Sequence, residues 1–157
     1  AEKVAFYVIA SPAGPYFENG VSSIPIWVSA HHTRAAKGGT GSAKCAGNYA
    51  GSLAPLQEAR KNGCAQVLFL DAQHGQFLEE LGGMNIFVVY KDGSLATPAL
   101  SDSILAGVTR QSIIEIAKAD GRRVDERQIS LEEVRTGLAN GDITELFACG
   151  TAAVLQN

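Results

Sequence analysis

The sequence lacks a cysteine framework. Its three cysteines, Cys45, Cys64 and Cys149, are odd in number and far apart. That excludes a disulfide scaffold and a cysteine-based metal motif, and it reads as small buried apolar residues in a reducing cytoplasm. No apolar run reaches membrane-spanning length, and no charged-then-apolar leader opens the chain. There is no basic block and no basic–aromatic interleaving, so the net charge of −3, with acids and bases interspersed, argues against nucleic acid as a partner. Internal repeats and low-complexity segments are absent too. His31-His32 has no third ligand at helical or hairpin spacing, which reads as loop histidines and not as a metal site. What remains is a sequence of 157 residues, 46% apolar and 18% charged, enough for one domain with a sizeable core.

Strand and helix signals alternate along it. Val4–Ala10, β-branched and aromatic, predicts a buried strand, broken by the proline- and glycine-containing run that follows. Residues 21–29 predict a second extended segment, with Pro25 placing it at an edge or bulge. Residues 48–62 predict a helix with Leu53, Leu56 and Ala59 as its apolar stripe, Gly63 at its stop position and Pro55 confined to the first turn. Short strands are expected at 67–71 and 86–90, the latter turned back by Asp92-Gly93 toward Leu95 and Ala96. Residues 101–107 read as a loop. A helix opens at Val108 with Ile113, Ile114 and Ala117 on one side and Gly121 past its end. Residues 122–129 read as a strand, and Ser130-Leu131-Glu132-Glu133 reads as a reciprocal capping box for a helix ending near Asn140-Gly141. Residues 145–148 predict one more strand, with the start of another after Gly150. The alternation, interrupted by a hairpin, predicts an α/β fold with a mixed sheet and surrounding helices.

The chemistry gathers around one lysine. Gly38-Gly39-Thr40-Gly41-Ser42-Ala43-Lys44-Cys45-Ala46-Gly47-Asn48-Tyr49 sets Lys44 among small residues, a setting that suits close approach of a flat ligand. A phosphate loop of the triphosphatase type needs Gly before the lysine and Ser or Thr after it; Ala43 and Cys45 stand there instead. Two glycine-bearing turns recur downstream, Gly107-Val108-Thr109 at a helix start and Gly150-Thr151-Ala152 after a strand. A helix start carrying Thr offers free amides and a hydroxyl to an anion. Lysine, acidic pair and amide-rich turns together suit a small phosphorylated cofactor that forms an imine.

Four runs then carry a resemblance: Gly38–Tyr49, Glu80-Leu81-Gly82-Gly83-Met84-Asn85-Ile86-Phe87, Gly107-Val108-Thr109-Arg110 and Phe147-Ala148-Cys149-Gly150-Thr151-Ala152. In this order the chain resembles the branched-chain amino acid aminotransferases, pyridoxal-phosphate enzymes of fold type IV, over almost its whole length. The resemblance implies a pseudo-barrel of mixed sheet, as in the large domain of that class, and assigns roles. Lys44 is the lysine that holds pyridoxal 5'-phosphate and moves the substrate proton. Glu80 is the carboxylate facing the ring nitrogen, with adjacent Glu79 read as its solvent-facing neighbour. Tyr49 hydrogen-bonds the ring oxygen. Val108, Thr109 and Thr151 hold the phosphate, and Thr151 and Ala152 also face the substrate carboxylate. Arg34 is a loop arginine near the cofactor.

Ala46, Ala106 and Pro55 depart from the family pattern without removing a chemical group, and the redox Cys-x-x-Cys of some relatives is replaced by Ala153, Val154 and Leu155. Residues 1–157 are expected to form a single cofactor-binding domain, incomplete beside relatives that add a smaller N-terminal domain, with its phosphate-binding arginine, and further C-terminal elements. The implied activity is transfer of an amino group between Leu, Ile or Val and 2-oxoglutarate by a cytoplasmic homodimer. Weak or no turnover is expected from these residues alone. A D-amino acid aminotransferase, an aminodeoxychorismate lyase and a non-catalytic cofactor domain are the alternatives.

Overall fold

The computed structural model describes residues 3–12, 23–151 and 154–156. Among the described residues, eight strands and four helices follow one another: β1 (Ile26–Val28), α1 (Ala46–Gly51), α2 (Leu53–Lys61), β2 (Gln66–Leu70), β3 (Leu78–Leu81), β4 (Asn85–Tyr90), β5 (Leu95–Pro98), α3 (Val108–Ala119), β6 (Val124–Arg127), α4 (Leu131–Asn140), β7 (Ile143–Gly150) and β8 (Val154–Gln156). They form a three-stranded sheet, β1-β2-β3, and a five-stranded sheet, β6-β5-β4-β7-β8. The sheets meet at the β3–β4 turn, where Leu81 and Met84 bridge. Parallel pairing occurs twice, β1 with β2 across α1 and α2, and β5 with β6 across α3. Parallel neighbours need such helical crossovers, whereas the antiparallel β4–β5 pair is closed by the Asp92-Gly93 turn.

The two-residue period of the strands sorts their side chains into layers. Leu68, Leu70, Leu78 and Leu81 of one sheet face Ile86, Val88, Ala96 and Ala148 of the other, with Val134 of α4 closing the cluster. On the outer faces, Val67 and Phe69 pack with Ala59 of α2, and Phe87 and Cys149 pack with Ile114 and Ala117 of α3. The result is a mixed-sheet pseudo-barrel with helices around it, the expected fold class. Each buried Leu, Ile or Phe contributes about 1.5–3 kcal/mol of transfer free energy.

Several expectations are corrected. Val4–Ala10 forms no strand: Val4, Phe6, Tyr7, Val8 and Ile9 are 79–88% exposed. A strand apolar on both faces holds only between neighbours, and none of the described strands pairs with this segment. Of residues 21–29 only Ile26–Val28 is strand, at a sheet edge as Pro25 implies, and residues 21–22 lie outside the described residues. The expected 48–62 helix is two helices meeting at Ser52. Pro55, in the first turn of α2, has no N–H to offer the carbonyl of Gly51, so the hydrogen-bond ladder breaks there. Leu53 of the expected stripe is 63% exposed. The capping box is half made: Ser130 Oγ accepts the Glu133 N–H at 3.0 Å, but the Glu133 carboxylate turns to Arg127 and Tyr90. Of the cysteines, Cys149 is buried, while Cys45 and Cys64 are only half-buried.

Candidate functional site

One cavity of about 550 Å³ opens where the two sheets meet, between α1–α2 and the start of α3. Lys44, Tyr49, Gly82–Asn85, Leu105–Thr109 and Cys149–Thr151 line it, so all four sequence runs contribute. Lys44 precedes α1 and stands exposed, its Nζ 5.6 Å from the centre of the Tyr49 ring. The Tyr49 ring lies against Gly83 of the β3–β4 turn, and its hydroxyl is buried without a hydrogen-bond partner. A buried hydroxyl left without a partner costs about 1–3 kcal/mol.

The far side of the cavity is the start of α3. Gly107 is its N-cap and makes no side-chain cap, so the amides of Val108 and Thr109 stay free at the positive end of the helix. Position 107 calls for glycine because a Cβ there would collide with Oδ1 of Asn85. Thr151 is exposed in the turn between β7 and β8. Cys149 forms part of the wall; burial pushes its thiol up to about 11 against the pull of Arg110, so it stands as a neutral side chain.

Glu80 and Arg34 are not at the cavity surface but behind it. Arg34 Nε meets Glu80 Oε2 at 2.8 Å with 1% of either side chain exposed. Glu80 Oε1 accepts the Leu105 N–H at 2.6 Å and lies 3.3 Å from Asn85 Nδ2. Burial pushes the Glu80 carboxyl up to about 7, against Arg34, the Leu105 amide and Lys44, each of which favours the charged form. Arg34 also donates to the carbonyl of Ser103 at 2.8 Å.

Glu79 is not the solvent-facing neighbour expected of it. It is 7% exposed, because residues 101–107 cover the face of β3 to which it points, and it accepts a hydrogen bond from Ser103 Oγ. Ala152 lies outside the described residues. His32 approaches Glu58 at 3.6 Å on the surface, and among the described residues no cluster of His, Cys, Asp and Glu could hold a metal.

Sequence reasoning missed Asn85 and Ser103. Asn85 Nδ2 donates to the Leu105 carbonyl at 2.9 Å and so ties the cavity floor to the loop before α3. An Asn opening a strand two residues past Gly82-Gly83 was a usable signal, since Asn is depleted in strands. Ser103 carried none.

The donor set fits the phosphorylated aldehyde that the resemblance implies. An amine stands at the mouth, an orphaned phenol beside it, a helix start opposite, and a carboxyl one layer behind.

Known proteins resemble this chain over most of its length. The branched-chain-amino-acid aminotransferase of Mycobacterium tuberculosis (strain ATCC 25618 / H37Rv) is 49% identical over 158 residues, covering 99% of this chain and 43% of that protein, so the chain spans less than half of its relative's length. The branched-chain aminotransferase of Thermoproteus uzoniensis, solved with norvaline, superposes with a TM-score of 0.80 at 33% identity, covering 94% of this chain and 46% of that one. The branched-chain amino acid aminotransferase of Thermobaculum terrenum, solved in its PLP-form (holo-form), gives 0.73 at 28% identity, covering 88% and 42%. Residues 1–156 match the family model of the class IV amino-transferases, and the chain belongs to that family.

Proposed function

We propose that residues 1–157 form a pyridoxal-phosphate-binding domain of a branched-chain amino acid aminotransferase, acting on Leu, Ile or Val with 2-oxoglutarate. The observation that carries this is the one cavity that joins Lys44, the orphaned Tyr49 hydroxyl, the free amides of α3 and the Thr151 turn. The PLP-form in which the Thermobaculum terrenum relative is solved supports it.

When bound, pyridoxal phosphate supplies a carbonyl that condenses with amines and a ring that takes up the electrons released at the substrate α-carbon. Lys44 Nζ would hold it at rest and, once freed, would serve as the base that carries the proton from the substrate α-carbon to the cofactor's aldehyde carbon. The Glu80 carboxyl, one layer behind the cavity wall, would favour the protonated form of the ring nitrogen. Its buried pairing with Arg34 fixes where that charge sits. Tyr49 Oη would donate to the ring oxygen. The Val108 and Thr109 amides, the Thr109 hydroxyl and the Thr151 turn hold the phosphate. Thr151 and Ala152 are the residues assigned to the substrate carboxylate in this reading.

Leu53 and Val108, 63% and 75% exposed at the cavity rim, leave its outer side open. A homodimer that covers this rim in the cytoplasm is part of the same reading, and turnover by the chain alone is expected to be low. The experiment is a titration of the intact chain with pyridoxal phosphate. A visible absorbance band is expected that Lys44→Ala abolishes without moving the melting temperature, because Lys44 is exposed. A band indifferent to that change overturns the reading.

A further inference from the structure

Two adjacent glutamates on β3 both reach the loop that precedes α3, and the proposed chemistry uses only one of them. The loop touches the lysine-bearing run, the Arg34–Glu80 pair and the start of α3. The amide of Ser42 donates to the Asp102 carbonyl at 2.9 Å, and the amide of Gly38 to the Asp102 carboxylate at 3.2 Å. Both belong to the lysine-bearing run. Gly41 of that run packs so tightly on Ser103 that a Cβ would overlap the Ser103 backbone. The carbonyl of Ser103 accepts from Arg34, and the N–H of Leu105 is on Glu80. Two residues past Leu105 is the N-cap of α3.

Glu79 is the side chain that holds the middle of this loop. Ser103, 5% exposed, donates its hydroxyl to Glu79 Oε1, and Ser101 Oγ lies 2.9 Å from Ser103 Oγ. The other Glu79 oxygen is buried with no partner. Arg34 is the nearby positive charge, while Asp71 and Glu80 are nearby negative ones, so the site is not built to favour a carboxylate. Burying an unpaired carboxylate oxygen beside two other acids is costly. An apolar side chain would avoid that cost but could not accept the Ser103 hydroxyl.

We propose that Glu79 is a positioning residue: through the Ser103 hydroxyl it clamps residues 101–105 onto β3, keeping the Leu105 N–H and the Arg34–Ser103 contact in register on Glu80. The consequence for the cofactor rests on the reading of Glu80 as the ring-nitrogen partner. Without the clamp, Glu80 loses the fixed placement of its Leu105 donor, and Arg34 loses its carbonyl anchor. The charge facing the ring is then no longer held in one place.

The test uses the full chain and two readouts, amide hydrogen exchange in the segment 101–107 of the cofactor-free protein and the pH midpoint of the visible band with pyridoxal phosphate bound. Ser103→Ala is expected to speed exchange at the Ile104 and Leu105 amides by about tenfold. It should also shift the band midpoint and weaken cofactor binding several-fold. Glu79→Gln keeps an oxygen for the Ser103 hydroxyl and should retain most of the exchange protection, while Glu79→Ala should behave as Ser103→Ala. Unchanged exchange in folded Ser103→Ala and Glu79→Ala overturns the clamp. Faster exchange with an unmoved band midpoint overturns its link to Glu80. A wild-type chain with no Lys44-dependent band overturns the cofactor reading instead, and the exchange result then decides the clamp by itself.

Discussion

Arg34 and Glu80 meet at 2.8 Å with 1% of either side chain exposed, whereas Arg127 and Glu133 meet at 2.5 Å with 39% and 32% exposed. The two pairs have the same chemistry and nearly the same length, yet their carboxyls move in opposite directions. Glu133 is lowered, first by its hydrogen bond from Arg127, with burial opposing. Beside it the Tyr90 hydroxyl is pushed up to about 12 by burial and by the Glu133 carboxylate. Glu80 is raised because lost hydration outweighs the same kind of partner. Distance therefore does not say whether an ion pair stabilises; access of water does. The half-exposed pair ties β6 and α4 to β4 at little cost. The buried one costs stability and is placed one layer behind the cavity, which is where a fixed charge is useful to a ligand.

Arg34→Met breaks this comparison hardest. At pH 8, where Glu80 is largely charged, it should cost about 3–5 kcal/mol by leaving a buried carboxylate without its counter-charge. At pH 5 Glu80 takes a proton and the cost should be much smaller. Denaturant titrations at the two pH values measure the difference, and equal costs would mean that Glu80 does not titrate.

Next is the wild-type chain itself. The Glu80 carboxyl binds its proton more tightly folded, at about 7, than unfolded, at its ordinary value of 4.5. The folded state thus holds more protons between these values, and stability should fall as pH rises through that window, on the order of 3 kcal/mol in all. Glu80→Gln should flatten that part of the pH–stability curve.

The smallest effect sharpens the other side. Glu133→Gln should cost no more than about 1 kcal/mol, and less again in about 1 M salt, because a half-exposed pair is screened. Its contribution has the opposite sign with pH: it is present above the ordinary glutamate range and is lost as pH falls below it.

The sequence showed the elements whose signal is local. The Asp92-Gly93 turn, the 108–119 helix and the glycine run around Lys44 depend on near neighbours, and each stands where expected. What depended on distant packing was not legible. Glu79 and Glu80 look alike in sequence, and only a loop some twenty residues downstream buries both. Val4–Ile9 has every local mark of a strand but finds no partner among the described strands. Ser103 acquires its place from Glu79 and Arg34 together, and no single-sequence pattern encodes such a three-way contact.

The parallel pairing of Ile26–Val28 with Gln66–Leu70 has a consequence for the order in which the site comes together. Residues 29–65 are one crossover connection, and Lys44 hangs near its middle. Closing so long a loop must precede the pairing that rewards it, so this is a slow event in folding. The start of α3, by contrast, is a local helix that can form within about a microsecond. The two walls of the cavity therefore differ in kind: the start of α3 rests on local contacts, whereas Lys44 reaches the cavity only when a long crossover has closed.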